Sequence, residues 1–210
     1  MQKKITQRLN AFKNDEQGSM AIELLIVTPI LVWVLLATFV YFDVFRVEAT
    51  SNKAAITVAE MFSREEVPIV DAYVDSALNV LAALTYEEEN PDLRVTVYHY
   101  DSDDSAYKVI WSEPRGDFTT ELTDADLLGF DTANRLPVLG GTDHAILVQT
   151  RVEYDAPFKM GIGDFSAISL EDVEFETFIV IRPRPGQLCF DDDPADDDAG
   201  LICDSEPPIT

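Results

Sequence analysis

The sequence predicts an α+β protein in which a long N-terminal helix, half of it embedded in a membrane, carries a small antiparallel-sheet domain. Three observations support this fold class. An uncharged apolar run near the N-terminus is long enough to cross a bilayer. An amphipathic helical pattern continues directly from that run. Further along, four segments are rich in the residues of β-strands, and several of them alternate apolar and polar side chains.

Charge divides the 210-residue chain unevenly. The chain has 15 Lys and Arg against 39 Asp and Glu, a net charge of −24. Residues 1–18 carry four basic and two acidic side chains, a net charge of +2, which leaves −26 for the other 192 residues. A protein this acidic repels the phosphate backbone of DNA and RNA. We therefore expect no nucleic-acid partner. A hydrophobic content of 47% also excludes a chain that is disordered throughout.

The apolar run extends from Leu24 to Phe42 and contains 19 residues without a charge. As a helix it is about 28 Å long, close to the hydrocarbon thickness of a bilayer. We therefore prefer a single membrane span to the buried helix of a soluble domain. The basic flank predicts a cytoplasmic N-terminus, with everything after Phe42 across the membrane. A secretory signal peptide fits less well, because no convincing small-residue cleavage site follows the run.

The junction before the span reads Gly18-Ser19-Met20-Ala21-Ile22-Glu23. Glu23 is an ionisable group at the edge of a membrane helix, an expensive position unless it is paired or reaches headgroup water. Gly18 lacks a Cβ, so an extended backbone there can enter a protease cleft closely. Pro29 removes one backbone donor from the apolar helix and is predicted to kink it.

This junction resembles that of type IV prepilins, in which a basic leader ends in Gly and the fifth mature residue is Glu. It is most similar to the TadE-like minor pilins, or pseudopilins, of the tight-adherence (Tad) pilus. Pro29, six residues after Glu23, and the run Arg182-Pro183-Arg184 after a strand-like segment also match that family's pattern. The resemblance implies a pilin-like helix that a prepilin peptidase cuts between Gly18 and Ser19. Glu23 would then face the new α-amino group of Ser19, within the chain or on a neighbouring subunit.

The function implied by the resemblance is that of a non-enzymatic minor pilin or pseudopilin in the bacterial inner membrane. The implied partners are other pilin subunits, the pilus assembly platform and the prepilin peptidase, and no cofactor is implied. The C-terminal domain would be periplasmic or extracellular and could enter the pilus. The alternative is an unprocessed single-pass membrane protein whose exterior domain binds a ligand or partner.

Together these inferences divide the chain into four parts. Residues 1–18 are the cleaved cytoplasmic leader, and 19–66 are the transmembrane and amphipathic helix. Residues 67–185 form the exported α+β domain, and 186–210 form an acidic tail. The size and acidity of the exported part, and the Asp-rich tail, are departures from the family.

The exported domain is predicted to contain two helical segments after the long helix. The long helix should continue from Val44 to Phe62, with Ser51 as a small residue in its apolar stripe where a partner could pack closely. Residues 69–85 carry a second helical stripe. A capping box of Thr123 and Asp126 predicts a short helix over residues 123–129. The predicted strands lie at residues 93–100, 107–111, 145–154 and 173–181.

The tail contains the only two cysteines, Cys189 and Cys203, and an exterior location predicts a disulfide between them. Such a loop contributes on the order of 3 kcal/mol of stability in the chain-entropy model. Asp191, Asp193, Asp196 and Asp198 could supply oxygen ligands to Ca²⁺, but their order does not match an EF-hand. We favour a solvated anionic loop over a calcium site.

No catalytic constellation stands out in the sequence. The two histidines, His99 and His144, do not occur at a metal-binding spacing, so we interpret His99 as a packed or surface residue of a strand. No nucleophile, base and orienting group can be assigned together. The sequence therefore predicts that the protein is not an enzyme.

Overall fold

The computed structural model describes residues 17–85, 91–141, 143–154, 173–192 and 200–203. Residues 17–43 belong to one compact unit, and the described residues from Val44 onward belong to a second unit, which we call the head. The element order is α1 (Gln17–Arg64), β1 (Ile69–Val70), α2 (Asp71–Thr85), β2 (Asp92–Asp101), β3 (Ala106–Arg115), α3 (Asp124–Thr132), β4 (His144–Tyr154), β5 (Val173–Ile181), β6 (Phe190–Asp191) and β7 (Leu201–Ile202).

The head is built on a four-stranded antiparallel sheet with the order β3-β2-β4-β5. The hairpin of β2 and β3 shifts register between Val97 and Tyr98, which indicates a β-bulge. The predicted alternation of apolar and polar residues is therefore confirmed as strand structure. The coarse fold class, a long apolar helix followed by a small antiparallel-sheet domain, is also confirmed.

One face of the sheet packs against the C-terminal half of α1 and against α2. The core between them contains side chains from the helices and side chains from the sheet. The helical side chains are Ala54, Val58, Ala59, Phe62, Val74, Ala77 and Leu81. The sheet side chains are Leu93, Val95, Val97, Trp111, Ile146 and Val148. The helical stripe predicted for Val44–Phe62 is thus the face that α1 buries.

The opposite face of the sheet is covered by α3 and the chain around it. Its buried side chains are Tyr98, Tyr107, Leu122, Leu127, Leu139, Ala145 and Leu147. Consequently β4 is apolar on both sides, with four consecutive buried residues from Ala145 to Val148. The predicted capping box is present in α3, where the Thr123 amide and hydroxyl both donate to the Asp126 carboxylate.

In the head, α1 runs in the same direction as β5. The Thr177 hydroxyl donates to the Asn52 side-chain oxygen at 3.3 Å, and the Ser63 hydroxyl donates to the Arg182 carbonyl at 2.7 Å. The helix advances about 16 Å between its two contact residues, at about 1.5 Å per residue. The strand side advances a similar distance, about 16 Å at about 3.3 Å per residue. The two elements therefore stay in step along their shared length.

A second, small sheet has the order β1-β6-β7 and joins the C-terminal residues to the head. Strand β1 pairs in parallel with β6, and the Ile69 amide donates to the Cys189 carbonyl at 2.8 Å. The helical stripe predicted for residues 69–85 is wrong for Ile69 and Val70. They form β1 instead, since their backbone groups pair with β6, and α2 begins at Asp71.

Candidate assembly site

The predicted processing junction lies at the start of the described part of α1. The backbone of Gly18 and Ser19 is helical, while residues 1–16 lie outside the described residues. Glycine is a poor helix former, because its backbone loses the most conformational entropy on folding. Gly18 therefore lowers the cost of unwinding the helix here, which an extended fit into a protease cleft would require.

Glu23 lies one turn further along α1, and its side chain is exposed. It is the only acidic residue of α1 before Asp43. The amine that cleavage would create at Ser19 is four residues away, on the same side of a helix and within one turn of it. The described geometry thus leaves the Glu23 carboxylate accessible to a charge from its own chain or from another.

The helix after Glu23 presents a wide apolar surface. It is the one helix among the described residues that could cross a membrane by length and composition. Only 6% of its most apolar 18-residue window is buried within the chain, which is unlike the core helix of a soluble domain. Its exposed large apolar residues include Leu24, Leu25, Ile26, Val27, Ile30, Leu31, Val32, Val34, Leu35, Phe39, Tyr41 and Phe42.

A shallow groove follows one face of this apolar helix. It is lined by Val27, Ile30, Leu31, Val34, Leu35 and Thr38. The only polar side chain in this set, Thr38, donates its hydroxyl to the Val34 carbonyl at 2.8 Å and so leaves no unpaired donor on the groove. Residues three and four apart on a helix share a face, so this groove fits an apolar helix or lipid chains.

Pro29 lies inside α1, and the helix continues on both sides of it. The kink at Pro29 stays a prediction. Ser51, by contrast, is only 1% exposed in the head. The position where the sequence suggested close packing of a partner is therefore filled from within the same chain.

The run Arg182-Pro183-Arg184 fastens the end of α1 to the end of β5. Ser63 donates to the Arg182 carbonyl, and its own carbonyl accepts from the Arg184 amide at 2.8 Å. The Arg184 guanidinium also pairs with Glu60. A hydrogen bond from Arg64, together with the charge of Arg184, lowers the pKa of Glu60. In the sequence this run is recognisable by resemblance only, because its partners Ser63 and Glu60 are more than a hundred residues away.

The two cysteines form the predicted disulfide, Cys189–Cys203, beside β6 and β7. The residues on either side of Cys189 are part of the head core, since Leu188 and Phe190 are each 1% exposed. The Leu188 carbonyl accepts a hydrogen bond of 2.8 Å from the Trp111 indole. The beginning of the acidic tail is therefore packed as a structural element, which its composition did not indicate.

Of the four candidate calcium ligands, only Asp191 belongs to the described residues, where it lies in β6. Asp193, Asp196 and Asp198 lie outside them. Within the described ranges no three His, Cys, Asp or Glu side chains cluster as a metal site. Whether this tail binds calcium therefore stays a prediction, because three of its four named residues lie outside the described ranges.

Comparison of the chain with protein-family models, with curated proteins and with solved structures finds no match.

Proposed function

We propose that the chain is a non-enzymatic minor pilin or pseudopilin of a tight-adherence pilus, trimmed after Gly18 by a prepilin peptidase. The observation that carries the proposal is the position of Glu23. Its carboxylate is exposed and lies at the start of a long, mostly exposed apolar helix. A carboxylate at the edge of a membrane is costly unless it is paired or hydrated. The new amine at Ser19 would supply that partner, which gives both the cleavage and the carboxylate a physical purpose.

The proposed topology places the leader in the cytoplasm and the head outside the inner membrane. Its support is the +2 charge of residues 1–18 and the −26 charge of the remainder. The Cys189–Cys203 disulfide adds support, since such bonds persist in oxidising compartments. The sheet domain would then be the part of the subunit that faces solvent.

In the proposed assembly the apolar helix is the packing surface. The groove from Val27 to Thr38 offers helically spaced apolar side chains with no unpaired donor, which suits the helix of another pilin subunit. Pairing between Glu23 and the amine of a neighbour would set the axial register of such helices. The assembly platform would handle the same surface before polymerisation.

The N-terminus of the mature protein tests the proposal. Intact-mass and N-terminal analysis of the membrane-extracted protein should give Ser19 as the first residue in cells with an active peptidase. Gly18→Val should keep the leader because a β-branched side chain obstructs the cleft. Met20→Leu, two residues away, should be processed as usual. Retention of Met1 in the unmodified protein, or a cut beyond Phe42, overturns the proposal.

Glu23→Gln separates processing from assembly. It removes the charge and keeps the shape, so we expect cleavage after Gly18 but loss of cross-linking to other pilin subunits. Glu48→Gln, also exposed on α1 but further along, is the matched control and should still cross-link. An unchanged mass after deletion of the peptidase would instead favour the alternative, an unprocessed membrane protein with a partner-binding exterior domain.

A further inference from the structure

Strand β5 forms one edge of the four-stranded sheet. It pairs with β4 along its whole length, and no other strand of the described residues pairs with its outer side, which we call the open edge (Val173–Ile181). Every residue of β5 is exposed or half-buried. An edge strand offers unpaired backbone groups to any strand that comes alongside, and proteins often protect such edges with charges. Here the five residues from Thr177 to Ile181 carry no charge.

The charges around the open edge are arranged symmetrically. Glu176 lies three residues before Ile179, and Arg182 lies three residues after it. Glu174 and Arg184 repeat this pattern at five residues on either side. An antiparallel pair of two β5 strands centred on Ile179 therefore places Glu176 of each copy opposite Arg182 of the other. Opposite charges at facing positions stabilise an antiparallel pair, and like charges destabilise it.

Both of these charges can exchange their present partners. The Glu176 side chain is 69% exposed and lies 3.4 Å from Arg151. The Arg182 side chain is 62% exposed and pairs with Asp143 at 3.0 Å. Exposed ion pairs of this kind contribute little to stability, so a facing copy could replace them at low cost. Residues 173–184 have two acidic and two basic side chains, so this strip adds no net charge to a contact between two acidic heads.

The helix beside β5 adds an apolar residue at the same level. The Asn52 side chain accepts a hydrogen bond from Thr177 at 3.3 Å, and two turns later Glu60 pairs with Arg184. A ridge of residues four apart on α1 therefore follows the strand. Ile56 lies midway along this ridge and is 56% exposed. Since facing residues of antiparallel strands point to the same face, α1 of both copies would lie on one face of the joined sheet, with the two Ile56 side chains near the symmetry axis.

We infer that the head pairs symmetrically with a second copy of this chain through the open edge, with Glu176 and Arg182 as the matched charges. The chain enters the head at Val44, and α1 runs in the same direction as β5. In an antiparallel pair the two apolar helices therefore enter from opposite ends. The second copy is thus anchored in a facing membrane, not beside the first copy in the same one. This inference concerns the head and stands apart from the proposed processing and pilus function.

Clustering of vesicles that carry the full-length protein tests the pairing. Phosphatidylcholine vesicles with the unmodified protein should cluster, as measured by light scattering. Glu176→Arg or Arg182→Glu alone places like charges opposite each other and should slow clustering at least about tenfold. A mixture of vesicles carrying Glu176→Arg with vesicles carrying Arg182→Glu should cluster again, because each facing pair then has opposite charges. Glu121→Arg makes the same change of charge at an exposed position beside β3 and should cluster like the unmodified protein.

Hydrogen exchange of the unmodified protein covers the case in which the variants fold poorly. In detergent, peptides from residues 173–181 should exchange at least about tenfold more slowly in concentrated than in dilute protein. Peptides from β3, at the opposite edge of the sheet, should keep their rate and serve as the internal control.

Several results would overturn the inference. These are unmodified vesicles that do not cluster, single charge variants that cluster at the normal rate, and a mixture of folded variants that fails to cluster. Exchange at β5 that does not depend on concentration, or equal slowing in β3, would overturn it as well. None of these results bears on cleavage after Gly18, which the N-terminal analysis tests separately.

Discussion

Ser63, one residue before the end of α1, donates its hydroxyl to the carbonyl of Arg182 and accepts from the amide of Arg184. Ser63 is 1% exposed. We call its two hydrogen bonds the clasp, because they join the long helix to the residues that follow the strand beside it. The clasp lies at the C-terminal end of α1, where it would bear a force applied along the helix. The clasp therefore couples the helix to the sheet independently of the apolar core.

Ser63→Ala should destabilise the head by about 1–2 kcal/mol. The change leaves the part-buried Arg182 carbonyl without its donor, and an acceptor left unsatisfied costs more than the average hydrogen bond. Thermal unfolding of the full-length protein in detergent, followed by near-ultraviolet circular dichroism, measures the loss. Ser76→Ala is the control, because Ser76 is exposed on α2 and bonds only to Ala72 in its own helix. Equal effects of the two changes would refute the role of the clasp.

Gly116→Ala should destabilise the head by about 2–3 kcal/mol. Gly116 has a φ of +75°, and a Cβ there would lie 2.2 Å from Oδ1 of Asp92. That carboxylate is buried and accepts from the Asp117 amide at 2.6 Å, so it cannot retreat without losing a hydrogen bond. Denaturant unfolding of the purified protein measures the change.

Gly129→Ala is the matched comparison for that experiment. Gly129 lies inside α3, and a Cβ there would meet nothing within 4 Å. Alanine is the better helix former, so we expect a gain of about 0.5–1 kcal/mol. A loss of stability at both glycines would contradict the steric argument for Gly116.

Asp101 should titrate far below an ordinary carboxyl. A hydrogen bond from Lys108, followed by the amides of Asp103 and Asp104, lowers the pKa of Asp101 to about 2. Because the folded pKa is depressed, its stabilising effect is complete above the unfolded pKa, about 3.9. It disappears as the pH falls from there to about 2. A carbon-detected NMR titration of the full chain measures the midpoint.

Lys108→Met checks the cause of that shift. Without the ammonium group, the pKa of Asp101 should move toward the ordinary value, while the two backbone hydrogen bonds keep it somewhat low. An unchanged midpoint would show that the turn amides alone are responsible.

Reduction of Cys189–Cys203 should lower the stability of the head by about 3 kcal/mol, the chain-entropy value for a loop of this size. At about 2–4 °C per kcal/mol, the melting temperature should fall by about 6–12 °C. A scan with and without reductant measures the shift, and mass mapping after alkylation verifies the state of both thiols. Cys189→Ser with Cys203→Ser should behave like the reduced protein. No change on reduction would mean that β6 holds its place by packing alone.

The sequence was sufficient for structures whose cause is local. Strand alternation located β2 to β5, and Thr123 with Asp126 located the start of α3, since each signal lies within a few residues. Strand β1 could not be found this way, because two residues become a strand only when Phe190 and Asp191 come alongside. The same limit hid the Ser63–Arg182 bond and the cross-strand register of His99 with His144 in β2 and β4.

In the candidate assembly site, too, the features with a local cause could be predicted and those with a distant cause could not. Gly18 and Glu23 could be recognised because their spacing and the apolar run form one continuous pattern. The burial of Ser51 within its own chain could not be recognised. A small residue in a helical stripe gives the same sequence pattern whether it packs against another subunit or against the sheet of the same chain. Distant pairing, rather than weak local preference, separates what was predictable from what was not.

The pairing of β1 with β6 constrains the order in which the head can fold during synthesis. Ile69 must wait for Phe190, which is made 121 residues later (190 − 69), before either can complete the small sheet. Trp111 likewise waits for the carbonyl of Leu188. A nascent chain that has emerged only as far as β5 therefore still lacks the small sheet and the Trp111 hydrogen bond. These contacts between distant residues can complete the head only after β6 has been made.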